Sequence, residues 1–145
     1  MKKIKGSIAF GIMDGIVTLF GILLAMLAVQ ADQKVILVAA IAAAIADSTA
    51  NASGYHVSEE ANRKSHATAL KSSIFCFFAT LIVMLFTLLP VLIIQPPLSI
   101  YLSFCLGVLI LFTLGAYIKS WKVGIEYAVI GVFAGVICYL IGKML

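Results

Sequence analysis

The chain has 145 residues, of which 63% are hydrophobic and only 11% charged, with a mean hydropathy of +1.18. Soluble domains carry about twice that share of charge, so there is too little polar surface here to cover a water-soluble particle, and lipid must be the solvent. The formal net charge of +4 comes without a basic helix face or an aromatic-basic patch, which excludes a reader of nucleic acid.

A helix needs about 20 apolar residues to cross a bilayer while satisfying all its backbone groups. Five segments meet that demand, at about 7–29, 35–57, 73–94, 98–118 and 124–142. They predict an all-α integral membrane bundle of five transmembrane helices, a single domain over residues 1–145. The first segment carries Asp14 and no small-residue cleavage site follows it, so a removable signal peptide is not expected. The longest connection, residues 58–72 (SEEANRKSHATALKS), reads as a cytoplasmic extension of the second and third helices. Pro96 and Pro97 divide the third helix from the fourth.

If the five helices alternate in direction, Lys2, Lys3, Lys5, Arg63, Lys64, Lys71, Lys119 and Lys122 share one side, and only Lys34 and Lys143 take the other. Basic residues beside short loops resist translocation, so this bias predicts a multi-pass protein with a cytoplasmic N-terminus and an outside C-terminus. An odd helix count excludes a simple inverted repeat, and any two-fold symmetry would need a second copy. Cys76, Cys105 and Cys138 lie in three separate apolar segments without Cys-x-x-Cys spacing and read as buried, unreactive thiols.

A carboxylate at the depth of Asp14 costs several kcal/mol unless it is paired, hydrated or coordinating. The second segment supplies partners: Asp47 and Asn51 are four residues apart and share one helix face. At about 1.5 Å per residue, Asp14 and Asp47 both come out near the bilayer middle, where a cation or a shared proton would relieve their repulsion. An oxygen-only set of Asp14, Asp47 and Asn51 suits a hard or borderline divalent ion such as Mn²⁺ or Fe²⁺. The competing reading is a pair of carboxylates that hydrogen-bond to neighbouring polar groups and merely fix helix packing. Toward the cytoplasm, His56, Glu59 and Glu60, with Arg63 and His66, form a cluster able to collect or release a metal. The alternative there is a solvated helix end whose acids pair with Arg63 and Lys64. Glu126 and Lys122 read as an interfacial ion pair. The G-x-x-x-G spacings at Gly11/Gly15 and Gly131/Gly135 favour close helix packing, within the bundle or between two copies. No spaced nucleophile and base and no cofactor motif are recognisable, so neither an enzyme nor a bound cofactor is expected.

The ordered set of motifs resembles the vacuolar iron transporter family. It comprises Asp14-Gly15-Ile16-Val17-Thr18, the small-residue stretch Ala46 to Ser58, Leu88-Leu89-Pro90, the run Leu111 to Gly135, and Tyr139, Ile141 and Gly142. The resemblance implies five transmembrane helices, a homodimer, and export of Fe²⁺ or Mn²⁺ from the cytoplasm in exchange for protons. The partners would then be a divalent metal, a proton, the lipid bilayer and a second copy of the chain. The sequence departs from the family pattern at Asn51, where a Met is usual, at Tyr55, where a Glu is usual, and at Asp47, where a small residue is usual. The family's acidic cytoplasmic domain between helices two and three is reduced to the short link. Two rival expectations are a non-transporting scaffold or partner subunit with a degenerate metal site, and a transporter of another cation.

Overall fold

All five apolar segments fold as α-helices long enough to cross a membrane, which makes the chain a multi-pass membrane protein. The computed structural model describes residues 2–145, with side chains from Lys5 onward. The helices are α1 (Lys2–Ala28), α2 (Gln33–Ala61), α3 (His66–Ile93), α4 (Leu98–Ile118) and α5 (Trp121–Met144). Even the shortest, α4, has 21 residues and so spans about 31 Å, close to the hydrocarbon thickness. The side chains of Lys2 and Lys3, counted in the charge bias, lie outside those described. The segment 58–72 is helical except around residues 62–65, because α2 and α3 run on past their apolar stretches.

Two helix ends close by the same device. At α1, the Gln30 N–H donates to Leu27 O and the Ala31 N–H to Met26 O; at α2, the Arg63 N–H donates to Glu60 O and the Lys64 N–H to Glu59 O. Both are Schellman motifs, which need a left-handed residue after the helix. Gln30 (φ 52°) and Arg63 (φ 57°) occupy that position although neither is glycine.

α1 is the hub. It packs against all four other helices; around it α2 meets α3, α3 meets α4, and α4 meets α5, while α2 and α5 do not touch among the described residues. Ile16, Leu19, Phe20 and Leu23 of α1 are therefore almost fully buried. Phe20 packs against Phe104 with ring centroids 4.5 Å apart and planes tilted by 39°. Both G-x-x-x-G pairs are used inside this bundle rather than at its surface. A Cβ on Gly11 would come within 2.7 Å of the Cys76 carbonyl of α3, and one on Gly131 within 2.5 Å of Leu111. At the opposite end from the α2/α3 turn, the Gln33 amide donates to Val91 O at 2.6 Å and Ile94 O at 3.3 Å, satisfying carbonyls at the end of α3.

Candidate metal centre

The α1/α2 pair is antiparallel and keeps one register along its length. Phe10, Asp14 and Thr18 project at four-residue steps from α1 and meet Tyr55, Asn51 and Asp47, at four-residue steps on α2. The Phe10 and Tyr55 rings lie 5.9 Å apart. Asn51 Nδ2 donates to Asp14 Oδ2 at 2.7 Å, and Thr18 stands beside the Asp47 carboxyl group. Such steps keep side chains on one helix face, so the three pairs form a ladder.

Asp47 stands fourteen residues from either end of α2, and Asp14 lies close to the centre of α1. Asn51 also donates to Asp47 Oδ2 at 3.4 Å, so one amide nitrogen sits between two carboxylates. All three side chains are half-buried. Rotation of the Asn51 amide exchanges its Nδ2 for its Oδ1 and turns a donor aimed at two carboxyl groups into a third oxygen beside them. The same constellation can thus hold itself together when empty and offer an oxygen-only set to a cation. Thr18 and the Phe10/Tyr55 step belong to this ladder, a pairing that neither the motif ending in Thr18 nor the departure at Tyr55 reveals by itself. The matching four-residue spacings, 10-14-18 and 47-51-55, were the signal available.

Toward the α2/α3 turn, a cavity of about 270 Å³ is lined by Phe10, Ala50, Asn51, Gly54, Tyr55 and Ser58. The Tyr55 hydroxyl reaches across to α1, 3.4 Å from where a Cβ on Gly6 would stand. Tyr55 thus lies between the two acids and the end of the helix. Ser48 is buried and occupied by its own helix, donating to Ala44 O at 2.6 Å.

At the turn itself the acids part company. Glu60 Oε1 lies 2.7 Å from His66 Nδ1 and 3.3 Å from His56 Nε2. Glu59, one residue earlier, points inward, is 6% exposed and is ion-paired with Lys64. The structure therefore groups His56 and Glu60 with His66 and sets Glu59 apart from them. Lys122 lies over the Trp121 ring, 5.9 Å from its centroid, rather than pairing with Glu126. Cys76 is buried and Cys138 partly so, whereas Cys105 is exposed on α4; all three are free thiols.

Residues 6–70 match the family model described as the VIT family. That stretch covers most of α1, all of α2, the turn and the start of α3, and includes all of Asp14, Asp47, Asn51, His56, Glu59 and Glu60. No curated protein and no solved structure matches the chain.

Proposed function

We propose that this chain, a member of the vacuolar iron transporter family by its match over residues 6–70, is a proton-coupled transporter that exports Fe²⁺ or Mn²⁺ from the cytoplasm. The observation that carries the reading is the placement of Asp14 and Asp47 beside one another at mid-helix, with a single amide, Asn51, as their shared partner. Two acids in hydrocarbon need compensation, and one neutral amide offers little of it against two negative charges. A divalent ion or protons would supply it alternately, because an oxygen that holds a proton cannot also hold a metal. Loading from the cytoplasm would run past His56 and Glu60 and through the cavity beneath Tyr55, with the N-terminus on that side.

The reading includes a homodimer. The outward face of α2 carries Ala42, Ala46, Thr49, Ala50 and Ser53, all exposed in the single chain. Small and hydroxylated side chains suit close helix contact better than contact with lipid. The second reading, a scaffold that keeps the fold without transport, draws on the same hydrogen bonds: Asn51 already bonds both acids, as a static packing device would.

Reconstitution in liposomes separates the two. A transporter carries Mn²⁺ or Fe²⁺ at a rate set by the pH gradient, and Asp14→Ala and Asp47→Ala each abolish that flux. Flux that persists in both variants removes the proposed site. Absence both of flux and of any metal-dependent rise in melting temperature that Asp14→Ala and Asp47→Ala remove leaves the scaffold. A preference for a different ion in that Asp14- and Asp47-dependent shift would assign the site to another cation.

A further inference from the structure

The α2/α3 turn carries three ligand-bearing side chains that the mid-membrane ladder does not use. His56 and Glu60 sit four residues apart on one face of α2, and the Schellman turn folds the chain back so that His66, the first residue of α3, joins them. His66 Nδ1 and His56 Nε2 converge on the same oxygen, Glu60 Oε1, at 2.7 and 3.3 Å. The two imidazoles meet edge to face, 5.1 Å between centroids. One ligand atom from each residue falls within 4.8 Å of the other two. Metal–nitrogen bonds of about 2.0–2.1 Å place neighbouring ligands roughly 3–4 Å apart, so small side-chain shifts would admit an ion at the centre.

We infer that His56, Glu60 and His66 form a second metal site, separate from the mid-membrane acids, which takes a borderline divalent ion of the Zn²⁺, Co²⁺ or Ni²⁺ class and clamps α2 to α3. Two imidazoles and one carboxylate make a mixed nitrogen-oxygen set, which favours such ions over the harder ones that an all-oxygen set prefers. The site faces water: His66 is 74% and Glu60 45% exposed, so an ion reaches it directly and keeps at least one water as a further ligand. Nine residues separate His56 from Asp47, about 13 Å along the helix, and the ladder presents its Phe10/Tyr55 step rather than its acids toward the turn. The two sites are far enough apart to fill independently. Glu59 takes no part, because its Oε1 is held by Lys64. Occupancy would add a cross-link at the turn between α2 and α3, which already pack against each other, and α2 is the helix that carries Asp47 and Asn51.

The test uses the full chain with any affinity tag removed, in the Asp14→Asn/Asp47→Asn background, so that binding at the turn is read without the mid-membrane acids. Titration with Co²⁺ should show one ion per chain, with visible d–d absorption bands, and Zn²⁺ should raise the melting temperature and displace the cobalt. Adding His66→Ala should weaken Co²⁺ binding about tenfold or more, the equivalent of about 1.4 kcal/mol, and remove the bands. His66 is an exposed side chain, so the variant should keep the melting temperature of the metal-free parent. The proposal is overturned by absence of Co²⁺ binding in the double variant, or by His66→Ala leaving affinity and spectrum unchanged. Metal flux through the wild-type chain is a separate readout, so failure of the transport reading and failure of this site are told apart.

Discussion

Lys64 and Glu59 occupy the C″ and C3 positions of one helix end, and they meet through an ion pair where an apolar contact is usual. Glu59 is 6% exposed and its Oε2 is unpartnered. Lys64→Met should therefore strand a buried carboxylate and destabilise the protein by about 2–3 kcal/mol. Thermal unfolding in detergent checks this, and Glu59→Gln/Lys64→Met should recover most of the loss.

Arg63 holds a left-handed backbone that costs an ordinary residue about 1 kcal/mol and glycine almost nothing. Arg63→Gly should raise stability by about that amount. A fall in the denaturation midpoint would show that the arginine side chain contributes more than its backbone strain removes.

Asn51→Leu takes away the donor shared by Asp14 and Asp47. Without metal, the variant should lose about 1–3 kcal/mol, because two half-buried acids are left without the amide that bonds them both. With metal, a missing oxygen ligand should weaken Mn²⁺ binding about tenfold, read by calorimetry. Equal affinity in wild type and variant would exclude Asn51 from the coordination sphere.

Metal binding at Asp14 and Asp47 requires both carboxylates ionised, so protons compete with the ion. Lowering the pH from about 7 to the ordinary carboxylate range at about 4 should reduce apparent Mn²⁺ affinity, with proton release accompanying binding there. Affinity that does not fall even at that pH would mean that the acids do not hold the ion.

Two glycines should respond oppositely to alanine. At Gly11 a Cβ would stand 2.7 Å from the Cys76 carbonyl, so Gly11→Ala must push α1 from α3 and should cost about 1–3 kcal/mol. At Gly54 nothing lies within 4 Å, so Gly54→Ala should gain up to about 1 kcal/mol of helix propensity. Melting temperatures of the two variants measure the contrast.

Hydropathy revealed the number and order of the helices because it reads the membrane directly. It placed the start of the third helix at residue 73, whereas α3 begins at His66. The polar residues between them keep helical hydrogen bonds after the apolar stretch has ended, and hydropathy is blind to those bonds. The proximity of Asp14, Asp47 and Asn51 was legible from depth counting and a four-residue spacing. Glu59 and Glu60 were not separable by the same means. They lie about 100° apart on the helix, and which of them turns inward is decided by the docking of α3 and by Lys64. The G-x-x-x-G pairs announced close packing without naming the partner, and the partners are the chain's own α3, α4 and α1.

The central position of α1 has a consequence for biogenesis. The helix that every other one packs on is synthesised first, so Asp14 must enter the bilayer while its surroundings are still unmade. Asn51 follows it by 37 residues, about 2–7 s at ordinary rates of translation. Because α2 is also the next helix to emerge, the first hairpin delivers a hydrogen-bond donor to the exposed acid before α3, α4 or α5 exists. Had the same amide been placed on α5, Asp14 would wait unaccompanied until the other four helices had been made.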